Sequence, residues 1–159
     1  MPSVGDTGWR VAVIADLTGD GKADLLWRNP VILGTAIWTM NGTSYTNTPL
    51  ARVSAEWSVA GAADVNGDGI ADLFWHNAGS GDNALWTMGP TITNASLPST
   101  PASWTPLAVG DFTGAGHPNV FWRDANSNAT QLWTVTSPTS VSSVPFPYVW
   151  RDWQPIGAR

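Results

Sequence analysis

Three stretches of this chain align without a gap: GWRVAVIADLTGDGKADLLWRN at 8–29, EWSVAGAADVNGDGIADLFWHN at 56–77 and SWTPLAVGDFTGAGHPNVFWRD at 103–124. Each is followed by a second tryptophan segment, TAIWTMNG, NALWTMGP and TQLWTVTS. Trp9, Trp57, Trp104 and Trp153 stand 48, 47 and 49 residues apart, and the series Trp27/Trp75/Trp122 and Trp38/Trp86/Trp133 keep the same period. A period of this length marks one supersecondary unit stacked several times, because a unit so small buries its apolar face only against a neighbour like itself.

Within one repeat, short apolar runs such as VAVIA, DLLW and AIWTM are bounded by Gly, Asn, Pro and Ser. No ten-residue segment carries a helical apolar period, so the chain reads as all-β. The first repeat predicts strands at about 9–15, 24–28 and 35–40, with Asn41-Gly42 as the hairpin turn into a polar fourth strand. Several inner strands are apolar on both faces, which suits sheets sandwiched between neighbours. Three four-stranded antiparallel blades of a β-propeller meet that demand, at about 8–55, 56–102 and 103–150, with an extra C-terminal clasp strand at 151–159. Rings of this kind close with about four to eight blades. Three blades leave two apolar sheet faces bare, so the expectation is either a ring completed by oligomerisation or a chain that is a fragment of a longer protein. Two chains making six blades is favoured over three chains.

Three composition features narrow the function. The longest clean apolar run, Val11 to Ala15, is far below the ~20 residues that cross a bilayer, and no export signal is visible at the N-terminus. That argues against membrane insertion. There are no cysteines, which excludes disulfides and thiolate metal sites. The seven basic residues are scattered over a chain of net charge −5, which argues against a nucleic-acid footprint. Seven of the twelve acids, Asp16, Asp20, Asp24, Asp64, Asp68, Asp72 and Asp111, fall in three short segments. Acidity so concentrated suits a cation site better than a general solubility charge.

The second of those segments reads D-x-N-x-D-G-x-x-D, and the first matches it with Thr18 at position 3. Side chains at positions 1, 3, 5 and 9 with the carbonyl at 7 give the oxygen-rich shell that Ca²⁺ takes, and glycine at 6 permits the sharp turn. The first loop offers Asp16, Thr18, Asp20, the carbonyl of Lys22, and Asp24; the second offers Asp64, Asn66, Asp68, the carbonyl of Ile70, and Asp72. An EF-hand is excluded, since its position-12 glutamate is replaced by Trp27, Trp75 and Trp122 inside strands. The third loop keeps Asp111 but has Ala115 and Asn119 where charged ligands belong, so it predicts a turn without a firmly bound ion. Two calcium sites are therefore expected, each tying the first hairpin of its blade.

Candidate ligand contacts are Trp27-Arg28, Trp75-His76 and Trp122-Arg123, where an indole face that stacks on sugar sits beside a polar group. Packing between blades competes with this reading, with each indole N–H bonded to a nearby carbonyl, and is also the expected role of Trp38, Trp86 and Trp133. Catalysis is not expected: His76 and His117, the two histidines, occupy different phases of the repeat, and neither neighbours a nucleophile arrangement. NGT at 41, NAS at 94 and NAT at 128 match the glycosylation sequon, a weak signal in a chain rich in Asn, Ser and Thr.

VAGAADVNGDGIADLFW and VAVIADLTGDGKADLLW resemble the FG-GAP or VCBS repeats of integrin-like β-propellers. The resemblance implies calcium at the blade loops, a secreted or cell-surface location, and a role in adhesion or in recognition of a glycan or an extracellular protein. The third loop and the blade number depart from that pattern. The alternative is a self-assembling structural unit whose partners are calcium and a second copy of itself.

Overall fold

A computed structural model describes residues 8–147. The described chain is all β-strand and turn. Strands β1 (Arg10–Ala15), β2 (Asp24–Asn29), β3 (Gly34–Asn41) and β4 (Ser44–Pro49) form the first sheet. Strands β5 (Trp57–Ala63), β6 (Asp72–Asn77), β7 (Asn83–Thr87) and β8 (Thr93–Leu97) form the second. Strands β9 (Trp104–Gly110), β10 (Asn119–Asp124), β11 (Thr130–Ser137) and β12 (Ser140–Phe146) form the third. Each sheet is a four-stranded antiparallel meander with the strands in chain order. The clasp expected at 151–159 lies outside the described residues.

The first hairpin of every blade carries one irregularity at one phase. Register slips between Val11 and Val13, between Val59 and Gly61, and opposite Phe121/Trp122, so Ala12, Ala60 and Leu107 are extra residues in their strands. Such a bulge bends the strand and swaps its outward side. Beyond it Val13 and Ile14 fall on opposite faces from those that strict alternation along β1 would give them. The expected Asn41-Gly42 turn is displaced by one residue. Asn41 still pairs with Ser44, and the two-residue loop is Gly42-Thr43, with Gly42 at φ 63°. A turn with positive φ at its first central position is the type that glycine there selects.

The sheets stack face to face, with β5 lying against both β1 and β9. One core joins the first two blades: Leu17, Leu26 and Ile37 pack on Leu73, Trp75, Ala84 and Met88. A second joins the last two: Val65, Phe74, Leu85 and Leu97 pack on Val120, Trp122, Trp133 and Val135. The middle sheet is therefore covered on both faces, and five of the six residues of β6 are buried. Opposite residues of paired strands share a face, so the cores can be followed through the register: Leu26 with Ile37 on one side of β2, Trp27 with Ala36 on the other. Among the described residues, the outer faces of the first and third sheets carry no blade.

Candidate functional site

The acidic loops are built on a framework common to all three repeats. At position 1, Asp16 accepts the N–H groups of Gly19 (2.7 Å) and Gly21 (2.7 Å), Asp64 those of Gly67 (2.7 Å) and Gly69 (2.8 Å), and Asp111 those of Gly114 (2.8 Å) and Gly116 (2.8 Å). The position-6 glycines Gly21, Gly69 and Gly116 sit at φ 78°, 84° and 76°, the left-handed region where a side chain is strained. The carboxylate thus closes a concavity of backbone N–H groups and is itself stabilised. At Asp111 the N–H of Gly116 is the main cause of a lowered pKa; at Asp16 desolvation pushes upward, and the N–H groups of Gly21, Gly19, Thr18 and Asp20 outweigh it.

Position 9 is buried in every copy. Asp24 accepts the N–H of Leu17 (3.1 Å) and of Met40 (2.9 Å), and Asp72 those of Val65 (3.0 Å) and Met88 (2.9 Å). These bonds tie the loop entry to the third strand. Asn119 does the same work without charge: its Oδ1 accepts the N–H of Phe112 (2.9 Å), and its Nδ2 donates to Thr134 Oγ1 (2.9 Å). Desolvation raises the Asp72 pKa; the bonds from Val65 and Met88 oppose it, and repulsion from Asp68 and Asp64 adds to it. That repulsion places the three carboxylates of the second loop within electrostatic reach of one another.

The donors fit a hard divalent cation in kind, since each complete loop supplies only oxygen, and Thr18 Oγ1 lies 3.0 Å from Asp24 Oδ2. The remaining candidates face solvent. Asp20 forms an ion pair with Lys22 at 3.0 Å, and Asp68 accepts the Asn66 amide at 2.9 Å and the N–H of Ile70 at 2.8 Å. Among the described residues no three acidic or histidine side chains converge in one group.

The paired Trp-Arg and Trp-His candidates have structural work in this arrangement. Trp75 and Trp122 are each 2% exposed inside the inter-blade cores, and His76 is 3% exposed. None presents a face to solvent. Arg28 is buried, and desolvation lowers its pKa. Its Nη1 donates to the carbonyl of Gly34 (3.0 Å), and its Nη2 to those of Val53 (3.1 Å) and Ser54 (3.0 Å), pinning the segment that leads into the second blade. Its guanidinium also lies 5.6 Å from the centroid of Trp75. His76 takes the same place one repeat later, edge-on to Trp122 at 5.3 Å and 2.8 Å from Asn83 Oδ1. Trp27 is half-buried on the outer face of the first blade, and Arg123, on the outer face of the third, donates to Asn128 Oδ1 at 3.0 Å.

The expected indole N–H bonds to carbonyls are not formed: Nε1 of Trp27, Trp75 and Trp122 is buried without a hydrogen-bond partner. Each of these rings instead leans on the second tryptophan of its blade, Trp38, Trp86 or Trp133, at 4.7, 4.9 and 4.9 Å and tilts near 50°. A ring face is a weak acceptor that such a donor can use. The third residue of each motif builds a turn. Asn29, Asn77 and Asp124 accept N–H groups two and three residues on, starting the bend between the second and third strands.

Of those candidates only Trp27 lines accessible aromatic surface, and the rest of that surface comes from other tryptophans. A cleft of about 260 Å³ opens between the first two blades, lined by Arg52, Ser54, Trp57, Trp86 and Asn94 among others. On the bare face of the first blade the same repeat positions, Trp9, Trp27, Trp38 and Asn47, line an open hollow of about 420 Å³. Trp57 and Trp86 are half-buried. The tryptophan period marks Trp57 and Trp86 as repeat positions, with packing the expected role of Trp86; Asn94 stands out only as a glycosylation sequon and Arg52 not at all.

Residues 16–75 match the family model of the FG-GAP-like repeat, a span that runs from Asp16 to Trp75 and takes in both complete acidic loops. Neither the curated proteins nor the solved structures contain a match to this chain. The matched span runs from the first acidic loop through β2 to β5 and the second acidic loop into β6, and over it this chain is similar to the FG-GAP-like repeat.

Proposed function

We propose that this chain is a non-catalytic recognition module of β-propeller type, braced by calcium at its two complete loops and binding an extracellular ligand, carbohydrate in preference to protein. The observation that carries the ligand class is the cleft between the first two blades, where the half-buried rings of Trp57 and Trp86 stand beside the polar ends of Arg52 and Asn94. Aromatic faces stack on the C–H side of a sugar ring while polar groups fix its hydroxyls, the mix of apolar walls and few polar groups that ligand sites use. Its 260 Å³ is slightly below the ~300–1,000 Å³ of sites for drug-sized ligands, a size for one sugar unit. Repetition of the site around a ring would add avidity. FG-GAP-like repeats are typical of extracellular domains, which supports that location.

Calcium would be held by Asp16, Thr18, Asp20 and Asp24 with the Lys22 carbonyl, and by Asp64, Asn66, Asp68 and Asp72 with that of Ile70. It would supply positive charge to the carboxylates of each loop, offsetting in the second the repulsion of Asp72 by Asp68 and Asp64, and binding to the folded state alone raises stability. Adding millimolar calcium to chelator-stripped protein is expected to raise the melting temperature, and Asp68→Ala to remove most of the rise. An unchanged melting temperature in the parent protein counts against the calcium assignment. For the ligand, a glycan array should give saturable binding that Trp86→Ala abolishes; silence across the array would end the carbohydrate reading.

A second reading is a structural unit whose partner is a further copy of itself. It is favoured by one observation, the two uncovered sheet faces at either end of the stack, with Val11 (41%) and Ile14 (59%) exposed on one and Val144 (55%) and Phe146 (50%) on the other.

A further inference from the structure

We propose that the bare face of the third blade seats on the bare face of the first blade of a second copy, and that two such contacts close a six-bladed ring. This rests on the assembly reading above and states its geometry. The two faces are the two halves of a joint that the molecule already makes twice.

Three repeat positions show it. The residue after the first loop aspartate is buried by the blade that follows: Leu17 is 2% exposed under the second blade and Val65 6% under the third. Phe112 holds that position in the third blade and is 55% exposed. Near the end of the first strand, Ala62 and Val109 are packed by the blade that precedes them, while their counterpart Ile14 is 59% exposed. At both existing joints a basic or imidazole side chain meets the tryptophan of the next blade: Arg28 on Trp75, His76 on Trp122. Arg123 and Trp27 are the same pair separated onto opposite ends of the chain. In a second copy's Trp27, Arg123 finds the ring that Arg28 finds in Trp75.

Each contact joins two different patches, and two of them related by a twofold axis close the ring, so the pairs are reciprocal: Arg123 of each copy meets Trp27 of the other. Each contact would also turn the open hollow around Trp9, Trp38 and Asn47 into the kind of cleft that lies between the first two blades, so the second ligand site is incomplete without the partner copy.

The joint between the second and third blades supplies the test. A side chain begun at Gly61 would meet Val109 at 2.7 Å, and the corresponding pair across the proposed contact is Ala108 of one copy and Ile14 of the next. The chain has no cysteine of its own. Ala108→Cys and Ile14→Cys proteins, each checked for native tryptophan emission, are mixed, oxidised and run without reductant. The mixture is expected to give a disulfide-linked pair that neither variant gives alone. Light scattering of the unmodified protein is expected to give twice 16.9 kDa. Arg123→Glu should weaken the assembly at least roughly tenfold and leave the isolated chain folded. A particle of one chain mass overturns both this geometry and the assembly reading. An oligomer whose mixed variants do not cross-link, or that forms undiminished with Arg123→Glu, overturns the geometry alone.

Discussion

Leu33, Gly81 and Asn128 occupy the same place in the turn between the second and third strands of their blades, and all three adopt positive φ, 60°, 80° and 59°. Glycine is free there, asparagine tolerates it, and leucine bears the steric cost of ~1–2 kcal/mol. Leu33→Asn, copying the third blade, is therefore expected to stabilise the chain by about 0.5–1 kcal/mol, read from the urea midpoint. At Gly81 the requirement is absolute, because a Cβ would stand 1.8 Å from the Thr100 carbonyl oxygen. In the same turn Asp124 is held down to about 2, chiefly by hydrogen bonds from the side chains of Ser127 and Ser103. Its folded pKa lies below the unfolded value, so its contribution is full above ~4 and is lost as pH falls toward 2. Asp16 and Asp111 shift the same way. Thermal unfolding followed from pH 5 to pH 2 should show the midpoint falling; Asp124→Asn should reduce the slope.

The loop-bearing hairpin is the element that repeats most faithfully, and its three copies separate two jobs that one copy confounds. The degenerate third loop keeps the same aspartate, the same two N–H bonds and the same positive-φ glycines as the complete ones. Shape therefore needs position 1, the glycines and a hydrogen-bonding side chain at 9, which Asn119 supplies without charge; the charge at 9 and the carboxylate at 5 are surplus to the turn. Asp111→Ala is accordingly expected to lower the melting temperature in chelator and to leave any calcium-induced rise untouched. Asp68→Ala should do the reverse, with little effect in chelator. Equal behaviour of the two variants in both conditions would show that the loops do not divide their work this way.

Across the stack, position outweighs side-chain type. Phe74 and Phe121 stand at one phase of the repeat, facing the following blade; Phe74 is 2% exposed beneath the third blade, whereas Phe121 is half-buried and meets Phe146 edge-on at 5.4 Å. Phe74→Ala is expected to cost about 3–5 kcal/mol by opening a cavity, and Phe121→Ala under about 1.5 kcal/mol in an isolated chain. Urea unfolding of the two variants measures the difference. In an assembled ring the second cost rises toward the first, so the gap between them reports whether the outer face is covered.

The period of tryptophans and the alternation of short apolar runs with Gly-Asn turns were enough to give an all-β chain, its four-stranded blades and the loop positions, because those properties follow from local backbone preference and from a spacing that recurs. Turn register was less legible. Asn41-Gly42 and Gly42-Thr43 are equally good local solutions, and the pairing of Asn41 with Ser44 selects between them. The division of tryptophans into buried and accessible was not legible at all. Trp75 and Trp27 stand at the same place in matching segments, DLFWHN and DLLWRN, and one is sealed while the other is half-covered because only one has a blade stacked upon it. Burial belongs to pairs of sheets, and no repeat encodes by itself which of its faces will have a neighbour.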